Sequence, residues 1–129
     1  MNLRRMRYLI NRLPMARFRV EKAMSTAAKT TAPITGMPGG GGVSDPVQRG
    51  VELLEMARER YKAIREELAA LQEEARPIID ALDDPLERTV MQMRYLDGVS
   101  AREIAYRLSY SERHIFRTLA EAERKVERA

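Results

Sequence analysis

Between Val47 and Leu82 an apolar residue recurs every three or four positions: Val47, Val51, Leu54, Ala57, Tyr61, Ile64, Leu68, Leu71, Ala75, Ile78 and Leu82. Steps of three and four alternate, apart from one shortened repeat around Leu54, so the stretch is a heptad seam on one helix. A strand would instead need apolar residues at every second position. At ~1.5 Å per residue such a helix is a rod of roughly 45 Å. A chain of 129 residues cannot bury that rod by itself. The seam must pair, either with an earlier helix folded back or with a second copy. Val51, Leu54, Tyr61, Ile64, Leu68 and Leu71 are the residues expected to mediate self-association, and a homodimer is the expected assembly.

The ends of the rod carry signals of their own. Asp45 stands where a helix cap belongs, Pro46 where the first helical residue belongs, and Gln48 completes a capping-box pattern. Pro77 is expected to bend the rod near its end. Ahead of it, residues 28–45 read AKTTAPITGMPGGGGVSD, with two prolines, five glycines and little charge. Four consecutive glycines oppose helix and strand alike, so this segment is expected to be a flexible linker.

Before the linker, residues 1–27 form a basic amphipathic arm. Leu3, Met6, Ile10, Leu13, Val20, Met24 and Ala27 fall near one helical face, and Pro14 is expected to kink the arm or split it in two. Residues 1–24 hold seven Arg or Lys against Glu21 alone. An Arg-rich, acid-poor start also resembles a mitochondrial transit peptide. An ordinary partner helix accounts for the spacing that resumes after Pro14.

Three shorter helices follow the rod. Asp84 caps Pro85, and LERTVMQMRYL runs to a glycine stop at Gly98. Ser100 and Glu103 make a second capping box that opens AREIAYRL. Ser111 caps ERHIFRTLAEAERKVER, whose Ile115, Leu119, Ala122 and Val126 form one stripe. Nothing alternates like a strand. The expected fold is all-α: a basic helical arm at 1–27, a linker at 28–45, a long coiled-coil-like helix at 46–84, and a three-helix module at 85–129.

Composition narrows the chemistry. With no cysteine, neither a disulfide framework nor a thiolate metal site is available, and a reducing, cytoplasmic compartment is the easier reading. The single histidine, His114, leaves no metal-ligand set and no partner for a nucleophilic serine, so no metal and no cofactor are expected. Asp83–Asp84, Glu66–Glu67 and Glu73–Glu74 are acid pairs at a helix start or on the outer face of the rod, where capping and solubility explain them. GMPGGGG lacks the Lys-Ser/Thr of a phosphate loop. Neither an enzyme nor a small-molecule substrate is expected. No apolar run approaches the roughly 20 residues of a membrane span, so no membrane partner is expected either. The net charge of +4 is carried by the two ends of the chain, while the middle is acidic, an asymmetry that suits a polyanion.

Two short helices joined by a three-residue turn, the second longer and basic at its start, make a helix-turn-helix arrangement. Ile104 and Leu108 face inward from the first helix, Ala105 is small where the second must cross, Tyr110 can plug the turn, and Ile115 anchors the second helix. Ser109 stands where many such motifs have Gly. A generic helical hairpin with a solvated basic face has the same pattern.

The residues also carry a family resemblance. RYLDGVSAREIAYRLSYSERHIFRTLAEAERKV, residues 94–126, resembles region four of bacterial sigma factors. The set RYLDG, EIA, L-x-YS-x-RHI-x-R and a preceding coiled helix is more closely similar to the RinA/ArpU-like phage transcriptional regulators. The specific part covers residues 85–126. The resemblance implies a sequence-specific activator of phage late or packaging genes that binds double-stranded DNA in the cytoplasm of a bacterial host, with RNA polymerase as a further partner. Two other expectations remain beside it: a polymerase-binding adaptor without base readout, and a DNA-binding packaging component resembling a small terminase.

If Ser111 caps the recognition helix, Glu112, Arg113, Phe116 and Arg117 project opposite Ile115 and Leu119, where the resemblance places base contacts. Arg113 and Arg117 suit guanine O6 and N7, and Glu112 suits cytosine N4. Phe116 meets a thymine methyl or packs on the preceding helices. Ser111, His114, Arg102 and Arg107 are the expected phosphate contacts, the two arginines having a solvated face as their plainer reading.

Overall fold

The computed structural model describes residues 1–30 and 46–129. Among them five α-helices and no strand are present: α1 (Leu3–Thr30), α2 (Pro46–Asp80), α3 (Pro85–Met91), α4 (Ala101–Leu108) and α5 (Glu112–Glu127). The all-α expectation is met. Asp45, expected to cap the rod, and the expected linker from residue 31 onward lie outside the described residues. Residues 28–30, assigned to that linker from sequence, instead complete α1. No described helix is long and apolar enough to cross a membrane.

Of the two outcomes expected at Pro14, the split into two helices does not occur: α1 is one helix of 28 residues with Pro14 inside it. The proline removes one backbone bond, a cost of about 3 kcal/mol in an isolated helix. Packing on both sides of it outweighs that loss. Leu3, Met6, Leu9 and Ile10 are buried before Pro14, and Ala16 after it. Leu13, Val20, Ala23 and Ala27 are half-buried, so α1 carries its own heptad-like stripe. Met24, read from sequence as part of that stripe, is exposed, and Ala23 takes its place.

The chain divides into two compact units, one of Met1–Ile10 with Glu66–Ala129 and one of Asn11–Arg65. In each, α1 lies against α2. In the first unit Arg5 donates from Nε and Nη2 to the two carboxylate oxygens of Glu67 at 2.7 and 2.8 Å, and this pairing holds the Glu67 carboxyl below its ordinary pKa. In the second unit Ala23 and Thr26 line a shared groove with Gly50, Leu53 and Ala57. Along the seam of α2, Leu68, Ala75 and Leu82 are buried, whereas Leu54, Tyr61, Ile64 and Leu71 are half-buried and Val51 is exposed. Part of the seam is thus covered within the chain.

The first unit closes around α3 to α5. Helix α2 ends at Asp80, and the Arg88 side chain donates to the Leu82 carbonyl just beyond it. Asp84 caps α3 as expected, its Oδ1 accepting from the Leu86 amide at 2.9 Å. After Met91 the helix widens into a π turn, Gln92–Leu96. It stops at Gly98, whose φ of +71° lets the Val99 amide reach back to the Met93 carbonyl at 2.9 Å. The side-chain amide of Gln72 donates to the carbonyls of Tyr95 and Leu96, which the end of the helix would otherwise leave open.

The widened turn places Tyr95 at the centre of the unit. Its ring is fully buried, its hydroxyl donates to Glu123 of α5 at 2.7 Å, and Arg7 of α1 donates to that hydroxyl at 2.8 Å. Burial, reinforced by the bond to Glu123, pushes the Tyr95 phenol above its ordinary pKa. Glu87 of α3 is buried as well, with both oxygens held by Lys125 of α5 at 3.0 and 2.8 Å.

Candidate nucleic-acid interface

Helices α4 and α5 are joined by the turn Ser109–Ser111, which backbone and side-chain hydrogen bonds fix at both ends. Ser100 caps α4, accepting from the Glu103 amide at 3.2 Å. Ser109 adopts φ 59° and ψ 39°, the left-handed conformation that most residues avoid and glycine accepts readily. The Tyr110 amide then bonds the Ala105 carbonyl at 3.0 Å, which fixes the reversal of the chain. Ser111 returns to extended backbone and its Oγ accepts from the His114 amide at 3.1 Å. A left-handed Ser in place of Gly therefore leaves the turn intact.

Below the turn, Ile104 and Ala105 of α4 and Ile115, Leu119, Ala122 and Val126 of α5 are buried. Tyr110 departs from its expected role. It does not plug the turn; it is exposed and stacks on His114, with ring centroids 4.8 Å apart and planes 24° apart. His114 is half-buried against that ring, beside the turn.

The opposite side of α5 exposes Glu112, Arg113, Phe116 and Arg117. Phe116 is 58% exposed and so does not pack on the preceding helices. Arg113 and Arg117, one turn apart, have no carboxylate partner among the described residues. The acidic member of the set is occupied: Glu112 Oε1 lies 3.5 Å from Arg102 Nε of α4. Arg107 likewise bonds Glu103 one turn before it, at 3.1 Å. Both pairs are solvent-exposed and worth about 0–1 kcal/mol each, so an incoming phosphate or base edge can open them at little cost.

Two further side chains belong to this surface. Tyr106 of α4 is 82% exposed, more than any other large hydrophobic side chain described. Arg124 follows Arg113 and Arg117 on the same outer face of α5, with a weak partner in Glu121 at 3.3 Å. Helical spacing alone could have flagged Arg124, since positions 113, 117 and 124 differ by four and seven. Tyr106 gave no such signal, because an apolar side chain in a short amphipathic helix reads as core.

Set on this geometry, the match of residues 39–127 to a family model described as "Protein of unknown function (DUF1492)" decides the family, since it spans more than two thirds of the chain. The chain belongs to the DUF1492 family. The DUF1492 match takes in α2 and all of α3 to α5 and leaves out α1. No curated protein and no solved structure matches the chain. Among the described residues no group of His, Cys, Asp and Glu side chains could hold a metal ion.

Proposed function

We propose that this DUF1492 protein is a sequence-specific, double-stranded-DNA-binding transcription regulator of the RinA/ArpU-like phage type, acting in the host cytoplasm as a homodimer. Helix α5 enters the major groove. The observation that carries the reading is the pair Arg113 and Arg117, unpaired and one turn apart behind a serine cap, on the face opposite a fully buried stripe. Arginines without an internal partner retain all their donors for guanine O6 and N7. The Ser111 cap fixes the start of α5, and hence the height at which those donors stand. Arg102, Arg107 and His114 border the same face, where phosphate contacts set register without reading sequence.

Selection of bound fragments from random double-stranded DNA by the purified full chain tests the reading. Enrichment of a defined site supports it; binding that stays uniform across sequences and vanishes with salt opposes it. The exposed Tyr106 favours a second reading, in which the module docks on RNA polymerase through its aromatic side chains. Polymerase capture that survives Arg113→Ala and Arg117→Ala but not Tyr106→Ala would favour that adaptor.

A further inference from the structure

The charge of the chain is divided unevenly between its two compact units. Residues 11–65, the unit built from parts of α1 and α2, hold ten Arg or Lys against five Asp or Glu. The unit that carries α3 to α5 holds thirteen against fourteen. The net positive charge therefore lies outside the module assigned to base reading, where Arg102 and Arg107 are each paired with a glutamate. Sequence-independent affinity for DNA comes from cations that displace counterions along the phosphates. An almost neutral module is poorly furnished with them.

Within residues 11–65 a group of cations gathers on one side. A groove between α1 and α2 is lined by Arg19 and Lys22 on one wall and by Leu53 and Ala57 on the other. At ~100° per residue, Arg49 and Arg60 lie within about 40° of Leu53 around the α2 axis, so they border the same groove. All four cations are exposed, and none pairs with a carboxylate among the described residues. The described acids of the unit are turned away. Glu21, Glu52, Glu55 and Glu59 each stand about 100° or more from every groove-lining residue of their own helix.

We propose that this four-cation face is a second DNA contact, which grips the phosphate backbone without reading sequence while α5 reads the bases. Repulsion among unpaired like charges opposes such a cluster unless an anion neutralises it. A phosphate strand repeats its charge along its length, so it can meet both walls of the groove together. Arginine suits phosphate by presenting a planar fork of donors. The proposal rests on the DNA-binding reading for the choice of polyanion, and its test separates the two.

Anisotropy titrations of the full chain against double-stranded DNA lacking the selected site, at several salt concentrations, provide that test. The quadruple substitution Arg19→Gln, Lys22→Gln, Arg49→Gln, Arg60→Gln should weaken binding about ten-fold or more and lower the salt slope by about three to four units. Its ratio of affinities for the selected site and for single-base variants of that site should be unchanged. Replacing the three arginines by lysine should keep the slope, which separates charge from folding. In the native protein the same DNA should slow acetylation of Lys22, a readout free of any substitution. A quadruple variant with the native slope, or Lys22 acetylated at the same rate with and without DNA, overturns the proposal and leaves base reading by α5 standing. Conversely, failure to select any site, with the slope still set by these four residues, overturns base reading alone. A quadruple variant that loses binding to poly-glutamate but not to DNA overturns the proposal in favour of an acidic protein partner.

Discussion

Arg113 and Arg117 differ from Arg102 and Arg107 in having no carboxylate partner among the described residues, and that difference predicts how substitutions will divide. Arg113→Ala or Arg117→Ala should cost about 1–3 kcal/mol of binding and relax preference at one base pair each. Arg102→Ala or Arg107→Ala should weaken all sequences alike and reduce the salt slope by about one unit. Titrating each variant against the selected site and its single-base variants, at several salt concentrations, separates the two behaviours. Ser111→Ala serves as the control: losing the cap costs helix stability of about 1 kcal/mol and leaves the preferred sequence unchanged. A separate residue-scale consequence concerns Glu87, a buried carboxylate held by Lys125 alone at 2.8 and 3.0 Å. Lys125→Ala strands that charge, whereas Arg124→Ala removes only an exposed contact. Thermal melts should show the first variant unfolding at a clearly lower temperature than the second.

At the scale of elements, capped and strictly periodic segments were legible in the sequence. Asp84, Ser100 and Ser111 each cap the helix expected of them, because a side-chain oxygen two or three residues ahead of an orphan amide is a local signal. Gly98 is legible for the same reason. Continuity through Pro14 was not, since local propensity opposes it and only burial by distant residues decides it. The π turn and the Arg7–Tyr95–Glu123 cluster were also hidden, because their partners lie 88 and 28 residues apart. That cluster makes α1 part of the fold of α3 to α5, and it has a pH signature. An unfolded tyrosine ionises near pH ~10. The buried Tyr95, its pKa raised, keeps its proton above that pH, so the folded state then binds more protons than the unfolded one. Stability is therefore full below pH ~10 and falls as pH rises beyond it. Urea unfolding followed by circular dichroism should show this alkaline decline. Tyr95→Phe should lower stability at neutral pH by about 1–3 kcal/mol and make the decline shallower. Parallel declines in the two proteins would remove Tyr95 as its source.

At the scale of the whole molecule, the proposed reading assigns DNA recognition to the basic outer face of α5, presented by two copies of the chain. One α5 reads only a few base pairs, and a two-fold dimer doubles the site if its two recognition helices meet the same side of the duplex. Half-sites must then lie about 10–10.5 base pairs apart, or a multiple of that spacing. Inserting about five base pairs between them turns the second half-site to the far side of the DNA, so affinity should fall to that of a single half-site. Inserting about ten should restore a large part of it, with the remaining loss measuring how far the dimer must stretch. Electrophoretic mobility shifts of the native protein on the three DNAs provide the comparison. Native protein indifferent to the half-turn insertion would mean that each copy reads DNA alone, and the dimer would then serve some purpose other than doubling the site.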